Sequence, residues 1–199
     1  MGLPEMEYDL STHLDENLRE KPSNFEDMQK AVAEYKEHAE GLGDSEKEEL
    51  EKANAYTLIG LYSRILLALE DSEEYLKKAF ELFKKHGKAT SAQMTKVRLA
   101  TTLSWASNYT KSDEYFVAAI NKFRDSKNTK NQTILGYSLE NFGKSKLERA
   151  MVQDALDLFL EALEIKMALG KMEDIQNIES YIATARTKLE SPAEESDED

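Results

Sequence analysis

Few residues in this chain have the types and spacing that chemistry requires. Its histidines are His13, His38 and His86, and there is no cysteine. The three lie far apart, and none has a partner at metal-ligand spacing, so a zinc or transition-metal centre is not expected. Without cysteine there is no thiolate nucleophile and no disulfide framework, which suits a reducing compartment. Gly87-Lys88-Ala89-Thr90 resembles the end of a phosphate-binding loop, but Leu82 stands where the first glycine belongs and a helix precedes it. Gly143-Lys144-Ser145 fails in the same way, with Ser138 in the glycine position. Gly41-Leu42-Gly43 is followed by Glu46 where a dinucleotide fingerprint needs glycine. The many carboxylates lack an apolar setting that would raise a pKa. The expectation is a protein that is not an enzyme and holds no cofactor and no metal.

The elements that position these residues are read from punctuation and periodicity. The chain has 199 residues with 26 basic and 39 acidic side chains, a net charge of −13. Prolines occur at positions 4, 22 and 192 only, leaving a long proline-free interval that long helices need. Ser23-Asn24-Phe25-Glu26 and Ser45-Glu46-Lys47-Glu48 fit the capping box. Ser72 and Ser112 stand as N-caps before acidic residues, and Gly41 or Gly43, Gly87 and Gly170 as helix stops. The predicted helices are 7–19, 23–41, 45–69, 72–86, 90–108, 112–125, 131–149, 152–169 and 172–190. No segment alternates with period two, so the chain reads as all-α with about nine helices. The opening residues have no basic region followed by an apolar one, and the most apolar stretch, Leu58 to Leu69, is broken by Arg64. A cytoplasmic protein without a membrane segment is expected.

The helices repeat. Ser72 to Phe80 aligns with Ala155 to Leu163 without a gap, and the register runs on to Gly87-Lys88 above Gly170-Lys171. Ser112, Phe116, Ala119 and Ile120 take the places of Ala155, Phe159, Ala162 and Leu163. Upstream, Ile59-Gly60, Leu99-Ala100 and Phe142-Gly143 share one position. A small residue is needed there because a neighbouring helix approaches closely only over a small side chain. With Tyr56, Ile59, Gly60 and Tyr62, and with Leu139, Phe142, Gly143, Ala155, Phe159 and Ala162, the chain resembles the tetratricopeptide repeat family in a long-repeat form. The middle repeat holds Ser112 at a small position, and the helix-ending proline of the family is missing, so Gly or polar residues must make the turns. An N-terminal repeat would use Leu10, Leu14 and Leu18, then Met28, Val32 and Tyr35.

The resemblance implies a right-handed superhelix of antiparallel helix pairs. It covers a repeat domain at 9–189 with 172–189 as a capping helix, leaving an extension at 1–8 and, by composition, an acidic disordered tail at 190–199. By register, the concave groove would be lined by Asn54, Thr57, Leu61, Arg64 and Ile65. Met94, Val97, Thr101, Ser104 and Trp105 would follow, then Tyr137, Glu140, Lys144, Leu147 and Glu148. Trp105 either anchors a ligand in that groove or packs between helices. A carboxylate clamp used by some family members finds only Asn17 and Arg98 in place, so binding of a chaperone tail is not expected.

Charge is also segregated along the chain. Residues 1–76 carry 7 basic and 20 acidic side chains, residues 77–130 carry 12 and 4, and residues 131–199 carry 7 and 15. A basic belt of Lys77, Lys78, Lys84, Lys85, Lys96, Arg98, Lys122, Arg124, Lys127 and Lys130 is expected between acidic ends. The expected partner is a protein or peptide, acidic or amphipathic and helical, or the chain's own run Glu194–Asp199. A long polyanion such as nucleic acid would be repelled by the flanking charge. The functional expectation is a non-catalytic adaptor or scaffold. A self-assembling subunit joined through acidic end and basic belt, and a peptide-sensing regulatory module, remain as alternatives.

Overall fold

The structure of the protein, a computed structural model, describes residues 2–190, apart from the side chain of Glu173. The acidic run Glu194–Asp199 lies outside the described residues. A short hairpin, β1 (Thr12–Leu14) and β2 (Glu20–Pro22), precedes eight helices among the described residues. These are α1 (Phe25–Gly41), α2 (Glu46–Ile65), α3 (Leu69–Lys85), α4 (Ala89–Trp105), α5 (Tyr109–Phe123), α6 (Thr129–Glu148), α7 (Val152–Ala168) and α8 (Met172–Glu190). From α1 to α4 and from α6 to α8 successive helices pack antiparallel, as in an all-α solenoid-like fold.

The helix expected over 7–19 is absent, replaced by an extended segment and the hairpin, which pairs Thr12 with Pro22, His13 with Lys21 and Leu14 with Glu20. Leu10, Leu14 and Leu18 are spaced for a helix, but short polar side chains capture the backbone first. Asp9 accepts from the amide of Ser11 at 3.0 Å, and Asp15 accepts from the amides of Asn17 and Arg19 at 2.9 Å each. Such local bonds compete with the helical ladder. Leu18 then turns the chain with φ of 59°.

The caps correct the sequence reading at three serines. Asn24, not Ser23, caps α1 by accepting from the amide of Asp27, while Ser45 and Glu48 do form the capping box of α2. Ser72 and Ser112 lie inside α3 and α5 rather than at their starts. Each crosses to the preceding helix: Ser72 donates to the carbonyl of Gly60 at 2.6 Å and Ser112 to that of Ala100 at 2.8 Å. The serine in a small-residue position is therefore a helix-to-helix hydrogen bond.

Five turns share one geometry. Leu67, Gly87, Ser107, Ala150 and Gly170 all have φ between 57° and 68°. After each, the next amide reaches five residues back into the helix just ended, as with Ala68 to Ser63 at 2.8 Å and Lys88 to Phe83 at 2.8 Å. This is the Schellman cap, and its left-handed residue is ordinarily glycine. Here leucine, serine and alanine also serve.

The chain divides into two compact units that meet between Ala119 and Ile120. In the first, α1 packs on α2, α2 on α3, and α3 on α4. Its core joins Ala53, Ala79, Phe83 and Ala92, then Ala31, Tyr35 and Ile59, and then Leu76, Leu99 and Leu103. Met6, Tyr8 and Leu10 of the extended segment pack against the cluster around Tyr35. In the second unit, α6 packs on α7 and α7 on α8, around Leu139, Phe159, Ala162, Ile178 and Ala185. The small residues meet the contact the repeat required. A β-carbon on Gly60 would lie 2.5 Å from Leu76 Cγ, and one on Gly143 would lie 2.5 Å from Phe159 Cε1.

Candidate functional site

Helices α2, α4 and α6 carry the residues expected to line a groove, and their burial differs from that of the other helices. Ten of the 20 residues of α2, nine of the 17 of α4 and eleven of the 20 of α6 are buried. By contrast α1 and α3 each bury four of 17, a single stripe. A helix with neighbours on several sides keeps only a narrow open face. The expected groove is corrected accordingly: Thr57, Arg64, Ile65, Val97 and Leu147 are buried, as are Thr101, Ser104 and Glu140. Asn54 remains exposed, while Leu61, Met94 and Trp105 in the first unit and Tyr137, Lys144 and Glu148 in the second are half-buried. Thr57 turns inward and donates to the carbonyl of Ala53 at 2.8 Å.

A cluster of charged side chains in the first unit surrounds Trp105, the only tryptophan. It sits at the end of α4 with two guanidinium groups over its ring, Arg64 from the last turn of α2 at 5.0 Å and Arg19 from the hairpin loop at 5.2 Å. Such cation–π contacts strengthen when desolvated, and the Arg64 side chain is only 1% exposed. Its charge is met by the hairpin: Nη2 donates to Oε2 of Glu20 at 2.5 Å. Its Nε is buried with no hydrogen-bond partner, as is that of Arg98. The hairpin thus lays an apolar residue, a cation and a carboxylate in succession, Leu18, Arg19 and Glu20, with Leu18 buried. Further back, the extended segment is tied to α1. Tyr8 donates to the carboxylate of Glu34, which pushes the phenol pKa up, and the amide of Asp9 donates to Asp27 at 3.2 Å.

Sequence reasoning placed Arg64 and Trp105 on one face but missed Arg19 and Glu20. They sat in a segment read as a helix, and the signal that could have found them was the Asp15-x-Asn17 turn chemistry.

The other polar clusters are structural ties. Glu49 of α2 accepts from Lys85 at 2.5 and 2.7 Å and lies 2.6 Å from His86 Nε2, so α2 is joined to the end of α3. Lys85 and His86 hold the Glu49 carboxyl below its usual range against the opposing pull of desolvation. His38 Nε2 lies 3.0 Å from Glu51, and His13 is exposed on β1. In the second unit Glu140 is buried between Lys166 and Lys144. Burial pushes its carboxyl up, but the two ammonium groups outweigh that and hold it below the usual value. Lys144 also covers the ring of Tyr181 at 4.4 Å. Among the described residues, no group of three or more His, Asp or Glu side chains is placed to hold a metal ion.

The expected basic residues divide between the units: Lys77, Lys78, Lys84, Lys85, Lys96 and Arg98 belong to the first, and Lys122, Arg124, Lys127 and Lys130 to the second. Four of them are engaged within the chain, Lys77 with Glu73, Lys78 with Glu74, Lys85 with Glu49 and Arg124 with Glu161. Lys96 covers the ring of Tyr115 and Lys122 that of Phe123. An open cleft of about 520 Å³ beside Tyr56 and Leu82 is edged by Lys52, Lys77, Lys78, Glu49 and Glu81. No helix among the described residues is long and apolar enough to cross a membrane.

No family model matches the sequence, and no curated protein does. Among solved structures, the chain is similar to the crystal structure of BtubC (BKLC) from P. vanneervenii. The likeness covers 87% of this chain and 78% of that one, with a TM-score of 0.55 and 16% identity. At that identity the likeness is one of fold.

Proposed function

We propose that the chain is a non-catalytic protein- or peptide-binding module built on tetratricopeptide-like helix pairs, including the right-handed superhelix of that family. The observation that carries this reading is that helices of the first unit already hold a non-helical segment, the extended stretch and hairpin of residues 6–22 of the chain itself. They do so with apolar packing at Met6, Tyr8 and Leu10 and charged contacts at Arg64 and Trp105. A surface that accepts one non-helical segment through mixed apolar and charged contacts has the chemistry to accept another. The cysteine-free composition fits a cytoplasmic setting. The basic residues tune partner choice through those not engaged in ion pairs with Glu49, Glu73, Glu74 and Glu161.

Selection of a random peptide library on the full protein tests the reading. Selected peptides should bind with a Kd that weakens by about 2 kcal/mol on Trp105→Ala, as for an interface anchor, while thermal unfolding stays cooperative. A library that yields no binder in repeated selections would refute it.

A further inference from the structure

We propose that the Arg64–Trp105 face is a binding site for a turn-forming segment of a partner protein that presents an apolar residue, a cation and a carboxylate in succession, and that Leu18-Arg19-Glu20 occupies this site in cis. The proposal rests on the peptide-binding reading above and names the ligand chemistry of that site.

Three observations converge. Arg64 is a buried guanidinium, and a buried charge requires a partner. The carboxylate that meets it, Glu20, comes from outside the helical array. The Arg64 Nε remains buried and without a hydrogen-bond partner, so the site offers more donor capacity than the hairpin uses. The hairpin that delivers Glu20 is also weakly anchored. Thr12, His13 and Leu14 of β1 are exposed, all three residues of β2 are half-buried, and each strand has three residues. Two-stranded ribbons of this size are marginal in isolation, and Leu18 holds a left-handed backbone that L-residues disfavour. The hairpin is therefore held by its docking, whereas residues 6–10 are packed independently against α1 and α2. Release of residues 12–22 would leave Arg64 in need of another carboxylate and the ring of Trp105 without Arg19. A segment carrying the same three side chains satisfies both. The intramolecular copy competes at the high effective concentration of a short tether, so the closed form raises the threshold for binding.

The experiment uses the full chain and a synthetic peptide covering Asp9–Ser23, acetylated and amidated at its ends. Emission of Trp105 reports occupancy, because the chain has no other tryptophan. Arg19→Ala combined with Glu20→Gln frees the site. This variant should bind the peptide about tenfold or more tightly than the unaltered protein, and Arg64→Lys should abolish the difference, since lysine loses the planar fork. A peptide with the same two substitutions should not bind. In the unaltered protein, backbone amides of residues 12–21 should exchange with solvent about tenfold or more faster than those of α2, as expected of a segment that opens without global unfolding. That measurement decides the matter even where the double variant does not fold. Equal binding by the unaltered and double-variant proteins, or exchange of residues 12–21 in step with α2, would overturn the proposal. Peptide binding insensitive to Arg64→Lys would overturn it too while leaving the peptide-binding reading standing. Failure of this peptide and of every library peptide would remove both.

Discussion

Replacing Ser107 or Ala150 by glycine should stabilise the protein, although glycine usually weakens helical chains. Both residues occupy the left-handed position of a Schellman cap, with φ of 59° and 57° against 65° and 68° at Gly87 and Gly170 in the same turn. An L-residue in that conformation costs roughly 1–2 kcal/mol, and glycine removes this at an extra entropic cost of about 0.5–1 kcal/mol. The net expectation is about 0.5–1 kcal/mol at each site, since both side chains are exposed and lose no packing. Leu67 is the informative third case. Its φ is 64°, but its side chain is 52% exposed, so about half of it is buried. Losing half of a leucine's burial costs about 1 kcal/mol, which offsets the backbone gain, and Leu67→Gly should come out near zero. Conversely, Gly87→Ala and Gly170→Ala should each cost about 1 kcal/mol. Ser107 and Ala150 fall in different units, so their effects should add to about 1–2 kcal/mol. Urea unfolding followed by far-ultraviolet circular dichroism reads this as a raised midpoint at constant m. If Ser107→Gly and Ala150→Gly instead cost about 1 kcal/mol each, as glycine does inside a helix, the shared turn geometry is wrong.

Other perturbations test the packing and the ion pairs. Gly60→Ala and Gly143→Ala should each destabilise by about 1–2 kcal/mol, because overpacking against Leu76 and Phe159 exceeds the gain in helix propensity. Gly136→Ala, where the nearest atom would be 3.4 Å away, should be neutral or stabilising in the same urea assay. Glu140→Ala should cost about 3–5 kcal/mol by leaving the Lys166 ammonium buried and unpaired. Glu140→Leu with Lys166→Met should recover most of that loss. Acid should weaken the fold through Glu49 and Glu140. Both carboxyls are held below their usual value in the folded chain, so the unfolded chain takes up these protons first as the pH falls. The stability they contribute is complete well above the unfolded value of about 4.3 and is lost as the pH drops below it. Glu49→Gln should flatten that decline in urea midpoints measured between pH 6 and pH 3, and an unchanged decline would refute the assignment.

Much of the helical array was legible because apolar spacing and small residues report directly on helix-to-helix contact. The alignment of Gly60, Ala100 and Gly143 marks the positions where α3, α5 and α7 come close, as the clash distances at Gly60 and Gly143 and the Ser112–Ala100 bond show. Seven helices began and ended within a few residues of the expected places, and the eighth, α8, matched at both ends. The turns were less legible. Gly87 and Gly170 announced themselves, but Leu67 has no local signature of a left-handed residue, because the cap is stabilised by the carbonyls of the helix before it. The groove was the least legible part. Helical register fixes which residues share a face, not how many neighbours press on that face. Thus Thr57, Val97 and Leu147 turned out to be core although the register placed them with exposed Asn54.

Trp105 shows why register alone could not settle the site. From the sequence it was either a groove anchor or a residue between helices, because periodicity speaks only of elements that are themselves periodic. The structure gives a third arrangement, in which the ring is half-buried beneath guanidinium groups brought by two segments far apart in the chain. One comes from α2 and follows from the repeat. The other comes from a hairpin whose strands have no apolar alternation to reveal them, with β1 exposed throughout and β2 half-buried. A segment that docks through one buried leucine, one stacked cation and one carboxylate leaves almost no hydrophobic pattern. The same economy that hid it from the sequence is why the proposed exchange for another segment needs so few contacts to be replaced.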